Sequence, residues 1–283
     1  MIGVTGRMGR AIVRAAHERA SLAAAASAGA SVARRSDDSE LKIVAGVASA
    51  KSVELGKDIG ELAGIGAAGV RVTSDLSAAL AACDVAIDFS SASATAANVE
   101  ACAAAHKPVV IGTTGLTSDA LRAIEKAVLT TAVLVAPNTS LGVTLLIELV
   151  KAAAKSLPPD FDIEISEAHH RLKRDAPSGT ALALGRAAAQ GRGQDFDKVA
   201  VKARTGETPR QQGEIGFAVT RAGDIVGDHT VHFAGAGEEL LLGHRATDRA
   251  IFARGALEAA AWLAGRPPGR YAMRDVVGYK TEA

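Results

Sequence analysis

Aromatic residues are scarce, at 3% of the chain, which argues against a surface that stacks nucleobases. Net charge is only +1, so no global field draws the molecule to nucleic acid or to a membrane, and any preference for anions has to come from a local patch. Cysteine is nearly missing: Cys83 and Cys102 sit in alanine-rich surroundings without a CxxC spacing. Buried free thiols in a reducing compartment are expected, not a disulfide framework. No apolar run approaches the ~20 residues of a membrane span. The stretch "LAAAASAGA" has the look of a signal-peptide core, but Arg14, His17, Glu18 and Arg19 interrupt the apolar run before it, so no leader is expected and the cytoplasm is the expected location. What remains is an ordinary globular composition, 48% apolar and 22% charged over 283 residues, enough for one large domain or two moderate ones.

Short β-branched runs alternate with alanine-rich helical stretches. "KIVAGV" (42–47), "VRVT" (70–73), "DVAIDFS" (84–90), "PVVIGTTG" (108–115) and "AVLVAPN" (132–138) read as buried strands, with helical periods between the last three. Strand–helix repetition predicts an α/β, Rossmann-like doubly wound parallel sheet over residues 1–140, completed by 249–283. Beyond 140 the pattern changes. A helix ends at Pro158-Pro159, "FDIEISEA" alternates as a strand, a helix follows from about Ser178, and three later strands are separated by glycine-rich turns. Residues 141–248 are therefore expected to form a smaller α+β domain with mostly antiparallel pairing, followed by a last helix from about Asp248 to Leu263 with Trp262 in the core. Residues 20–40 are low in complexity and are expected to be mostly surface loop.

"GVTGRMGR" places Gly3, Gly6 and Gly9 ahead of a helical stretch. Glycines there let the backbone turn off a strand and approach a pyrophosphate, and the helix offers free N–H groups and a positive dipole end. Only Met1 and Ile2 precede Gly3, fewer than the roughly five residues of an ordinary strand: either the first strand is a stub or the chain as given starts inside it. The second strand ends in Ala48, Ser49, Ala50, Lys51 and Ser52. No carboxylate stands there for a ribose diol, and Lys51 with Ser49 suits a 2′-phosphate, so NADPH is expected, with NADH also possible. The alternative is that Lys51 is simply a solvated lysine.

One further run gathers many polar groups, "EAHHRLKRDAPSGTAL" (167–182). Adjacent histidines at a strand end point to opposite faces, and neither CxxC nor HExxH accompanies them, so no metal is expected. A solvated basic loop is one alternative. The other is a site for a small dianion: Ser178 caps the next helix, Gly179 and Thr180 present unpaired N–H groups, and Lys173 adds a point charge. Surrounding cations lower the pKa of a histidine, and a bound dianion raises it, giving a general acid near neutrality. Reduction of an anionic carbon–nitrogen double bond needs that combination. Glu167 either orients a histidine or ends the strand, and His229, in "GDHTVHF", has no assigned task.

The motifs "GRMGR", "IDFS", "GTTG", "APNTSLGV", "EAHHRLKRDAPSGTAL" and "RAGDIVGDHT", in this order, resemble the 4-hydroxy-tetrahydrodipicolinate reductase (dihydrodipicolinate reductase) family over residues 3 to about 278. The resemblance implies His169 as the general acid with Lys173 assisting, and His170, Ser178, Gly179, Thr180 and Thr114 as substrate-binding residues. It implies Gly3, Gly6, Arg7, Met8 and Gly9 at the pyrophosphate. Gly112, Thr114, Ala136 and Asn138 would line the nicotinamide side, with Arg249 and Phe252 closing over it. A dicarboxylate substrate and a homotetramer built through the second domain's sheet are implied as well. This chain departs from the family pattern in lacking an acidic residue near Ala48, in Ser91 and Thr139, and in an alanine- and serine-rich segment around 23–38. Two other classes stay open on residues alone: a non-catalytic dinucleotide-sensing protein, and another amino-acid-pathway dehydrogenase.

Overall fold

The computed structural model describes residues 1–27 and 41–279. The chain divides into two compact units: Met1–Ser140 with Ala250–Val276, and Leu141–Arg249 with the residues from Val277 on. The first stretch alternates α1 (Arg7–Ser27), β1 (Gly46–Val47), α2 (Ile59–Ala63), β2 (Val72–Thr73), α3 (Leu76–Ala81), β3 (Ala86–Asp88), α4 (Ala92–Ala104), β4 (Val109–Ile111), α5 (Ser118–Ala127) and β5 (Ala132–Val135). The second unit contains α6 (Leu141–Ser156), β6 (Asp162–His169), α7 (Gly179–Gly191), α8 (Phe196–Val199), β7 (Ala200–Val201), β8 (Ile215–Arg221), β9 (Gly227–Gly235) and β10 (Glu238–Ala246). The chain then returns to the first unit with α9 (Ala250–Leu263), β11 (Gly269–Tyr271) and α10 (Met273–Val276).

In the first unit β11, β5, β4 and β3 pair in parallel in that order, and β1 pairs in parallel with β2. Ile2 joins the two pieces by parallel bridges to Val47 and Asp88. The strand order reverses around Ile2. That reversal is where doubly wound sheets open a ligand crevice at the strands' carboxyl ends. Val109, Val110, Ile111, Val133 and Leu134 have no exposed surface, as a sheet covered on both faces requires. Around it α4 packs on α5, and α1 on α9.

Two expectations change here. Helix α1 continues to Ser27 where a loop is predicted from about residue 20. Alanine is the strongest helix former, so "SLAAAAS" extends the helix without needing an apolar stripe. The rest of the expected loop, 28–40, lies outside the described residues. Trp262 is half-buried, not core: its ring meets Tyr271 edge-on at 5.3 Å and carries the Arg266 guanidinium 4.1 Å above it. Cys102 is fully buried, as expected, and burial pushes its thiol up to about 12.

The sheet of the second unit runs β10-β9-β6-β8-β7. Pairing is antiparallel from β10 through β9 to β6, but β6–β8 and β8–β7 are parallel. The sheet is mixed because α7 and α8 carry the chain across between β6 and β8, as a parallel connection demands. Burial along β6 alternates strictly. The face that sends Ile163 and Ile165 into a core with Leu184, Ile215, Val231 and Phe233 also carries Glu167 and His169 at the strand's end.

Candidate active site

At the reversal point of the first unit lies a cavity of about 660 Å³. Its floor is the turn into α1. Gly3 has φ +78, and a side chain on it would lie 2.5 Å from the Phe89 carbonyl oxygen, while one on Gly9 would lie 2.3 Å from the Gly3 carbonyl oxygen. Only bare backbone fits, and the helix begins with Arg7 and no acidic residue in its first turn. The positive helix end therefore faces the cavity uncompensated, an arrangement suited to a pyrophosphate. Of the residues read from sequence as holding a cofactor, Gly6, Arg7, Met8, Gly112, Thr114, Ala136, Asn138 and Phe252 line this cavity. Gly3 and Gly9 shape the turn behind it. Ser49 and Lys51 do not line it; they are exposed beyond β1, where Ser49 Oγ accepts from the Lys51 amide at 3.3 Å. Arg249 is exposed and groups with the second unit.

Phe89, Ser90, Ser91, Thr113, Pro137 and Thr139 also line the cavity, at and just beyond the carboxyl ends of β3, β4 and β5, where small and polar strand tips point to cofactor contacts. Thr139 is informative, because its hydroxyl donates to the Phe252 carbonyl at 2.6 Å. It thereby fixes the aromatic ring's helix against the 137–140 loop, and the "APNTSLG" motif carries that signal. Asp88, fully buried, accepts from the Ser90 amide at 2.7 Å and from Asn98 at 3.1 Å, which sets the loop after β3.

In the second unit the polar cluster is built on the end of β6. Glu167 has a fully buried side chain. Arg221, at the end of β8, grips it with Nη1 donating to Oε2 and Nη2 to Oε1, both at 2.9 Å. The Ser178 amide donates to Oε1 at 3.0 Å, and His169 Nδ1 lies 2.5 Å from Oε2. Burial alone pushes a carboxyl up, yet the hydrogen bonds from Arg221, His169 and Ser178 outweigh it and hold Glu167 below the ordinary range. His169 is itself lowered: burial is the main cause, Glu167 opposes it, and the Lys173 and Arg221 charges add to it. His229, on β9, meets the His169 ring edge-on with centroids 5.0 Å apart, and its Nε2 lies 3.0 Å from Ser178 Oγ. Burial pushes it down to about 4, the neighbouring His169 contributing.

Ser178 caps α7 as expected, its hydroxyl accepting from the Ala181 amide at 3.2 Å. The expectation of open amides beyond it is corrected. The Asp175 carboxylate, 2.8 Å from Lys173 Nζ, is held below the ordinary range by that lysine first and by the Gly179 amide as well, and Thr180 also has a partner. A carboxylate of the chain itself thus sits where an anion was expected. His170 follows the end of β6, and its carbonyl accepts from the Lys173 amide at 3.1 Å. Glu167, His169 and His229 do bring three ligating atoms within 4.8 Å of one another, a grouping that adjacent histidines do not suggest. Both Glu167 oxygens are engaged by Arg221, so a cation entering there would have to displace a guanidinium. Arg221 and His229 are the members sequence reasoning left out, and "RAGDIVGDHT" contains both.

Comparison with known proteins bears on the whole chain. A family model described as the N-terminus of dihydrodipicolinate reductase matches residues 28–139, and one for its C-terminus matches 142–277. A curated 4-hydroxy-tetrahydrodipicolinate reductase of Alkalilimnicola ehrlichii is 48% identical over 98% of this chain and 97% of its own length. One from Colwellia psychrerythraea is 45% identical over 99% and 97%. Among solved structures, a dihydrodipicolinate reductase from Paenisporosarcina sp. TG-14 superposes with TM-score 0.67 at 21% identity, covering 95% of each chain, a likeness of fold. With nearly half of its residues shared with such enzymes from end to end, the chain belongs to the dihydrodipicolinate reductase family.

Proposed function

We propose that this enzyme reduces 4-hydroxy-tetrahydrodipicolinate, by way of its dehydrated unsaturated imine, to tetrahydrodipicolinate in lysine and diaminopimelate biosynthesis. The curated relatives carry that activity in their names, and the Paenisporosarcina structure is of a dipicolinate-bound enzyme. The observation that carries the reading is His169 at the end of β6, tied through Nδ1 to a buried carboxylate beside Lys173 and the start of α7. When bound, the nicotinamide cofactor supplies a hydride. Gly3, Gly6, Arg7, Met8 and Gly9 would hold its pyrophosphate, and Gly112, Thr114, Ala136, Asn138 and Phe252 its nicotinamide side.

The protein's residues do the rest. Lys173, His170, Ser178, Gly179 and Thr180 of the second unit bind the substrate's carboxylates. Burial first, and then the Lys173 and Arg221 charges, lower His169; a bound dianion counters those charges and helps the imidazole take up a proton. Once the conjugated imine has accepted a hydride, its electron-rich neighbouring carbon takes that proton from His169, and both new C–H bonds are accounted for. Lys51 and Ser49 favour NADPH, with NADH as a second donor. The assembly is a homotetramer through the second unit's sheet, whose β10 leaves Leu240 and Leu241 exposed; the location is the cytoplasm, where reduced nicotinamide is supplied.

His169→Gln is expected to cut kcat by about 10²–10⁴ with cofactor binding unchanged, read as the loss of nicotinamide absorbance with the cyclic substrate. A variant with wild-type kcat removes His169 as the acid, and wild-type protein that leaves NADPH unconsumed with this substrate removes the reaction.

A further inference from the structure

We propose that Glu167, clamped by Arg221, is a positioning residue for the proton donor: it turns His169 Nδ1 inward and leaves Nε2 as the atom offered to the substrate. This rests on the reading of His169 as the acid. A carboxylate only accepts hydrogen bonds, so the 2.5 Å contact between Glu167 Oε2 and His169 Nδ1 assigns the hydrogen to Nδ1. In the neutral ring Nε2 then has the lone pair, and in the imidazolium Nε2–H is the proton free to leave. The strand opposite leaves room at that atom: at Gly227 on β9 a side chain would begin 3.2 Å from His169 Nε2.

The carboxylate cannot swing away. Strand alternation puts Glu167 and His169 on one face, and Arg221 and the Ser178 amide hold both oxygens. Arg221 also donates to the Asp175 carbonyl at 2.5 Å, so one guanidinium fixes the carboxylate and the loop that bears Lys173. A buried ion pair is weak evidence for stability; among the described residues Glu167 is the one anion in contact with the His169 imidazole, which the Lys173 and Arg221 charges also face. The charged and titratable groups around His169 are Glu167 on β6, Arg221 on β8, His229 on β9 with Asp228 and His244 behind it, and Lys173 with Asp175 on the loop. Among them Glu167 favours the imidazolium directly, so its removal makes the donor lose its proton at lower pH.

The test is the pH profile of kcat for the full-length enzyme and for Glu167→Gln, Glu167→Asp and His169→Gln, with KM measured for the dicarboxylate substrate. Glu167→Gln is expected to lower kcat by about 10- to 100-fold, to leave KM within a few-fold, and to move the alkaline limb toward acid. Glu167→Asp, which restores the charge, brings the limb back. A Glu167→Gln enzyme whose limb stays in place, whatever its kcat, shows a structural brace and overturns the proposal. If His169→Gln also keeps kcat, the failure lies in the acid assignment itself. Should Glu167→Gln not fold, histidine ¹⁵N resonances of the wild-type enzyme decide: neutral His169 protonated on Nδ1 supports the proposal, and on Nε2 refutes it.

Discussion

Ser178 Oγ and His229 Nε2 lie 3.0 Å apart, which ties the cap of α7 to strand β9 through a histidine that is 4% exposed. His229 Nδ1 is buried and has no hydrogen-bond partner among the described residues, and the group is pushed down to about 4, burial being the main cause. The unfolded chain takes up this proton near the ordinary histidine value of about 6.5. Between the two values the unfolded state binds more protons, so stability rises with pH there and is lost as pH falls from about 6.5 to about 4. At pH 5 the loss from this residue is about 2 kcal/mol. His229→Gln is expected to flatten the difference between denaturant unfolding at pH 7 and at pH 5. A variant that loses as much stability as wild type over that interval excludes His229 as the source.

Asp175 occupies Lys173 and the Gly179 amide, both of which the proposed mechanism assigns to a substrate carboxylate. Binding then exchanges an internal carboxylate for an external one, and the like charges compete. Asp175→Asn removes the competitor and is expected to tighten pyridine-2,6-dicarboxylate binding by about tenfold, or 1.4 kcal/mol, in calorimetry at low salt. Unchanged or weaker affinity would mean that Asp175 arranges Lys173 for the ligand instead of opposing it.

The proposed preference for NADPH rests on the loop after β1. Lys51 is exposed there, and the nearest acidic residue along that loop, Glu54, is already engaged: Lys57 Nζ lies 2.8 Å from it and Arg10 Nη2 3.5 Å. Ala48 to Ser52 carry no carboxylate, and the next one along the chain, Glu54, is neutralised by two cations. Lys51→Glu should therefore lower kcat/KM for NADPH about tenfold relative to NADH at low ionic strength. Equal effects on both cofactors would leave Lys51 a solvated lysine.

The parallel sheet was legible because its strands are unbroken apolar runs such as "PVVIG", and burial on both faces permits no other pattern. The cap at Ser178 was legible because a helix start needs a side-chain acceptor. The Glu167–Arg221 pair was not. Its members are 54 residues apart, and only the parallel register of β6 with β8, which sets His169 opposite Arg221, brings them together. The antiparallel pairing expected from short strands and glycine turns hid that register, since nothing local distinguishes a hairpin return from a crossover through α7 and α8. Likewise α1 carried on past residue 20 on propensity alone, which periodicity does not detect.

Gly112 was read from sequence as a cofactor contact, and the structure gives it a packing reason as well. A Cβ built on it would lie 2.0 Å from Phe89 Cζ, and Gly112 and Phe89 line the same cavity. Backbone on β4's end cannot retreat, because the Gly112 amide donates to the Asp88 carbonyl at 2.9 Å, so the ring has to move. Overpacking of this kind costs about 1–3 kcal/mol, and here the ring that moves lines the cavity proposed for the nicotinamide. Gly112→Ala is expected to weaken NADPH binding by about tenfold or more, while pyridine-2,6-dicarboxylate still protects the second unit against thermal unfolding. Fluorescence titration of the cofactor checks the first expectation. Wild-type affinity would show that Phe89 has somewhere else to go, and that the glycine serves only the chain's local packing.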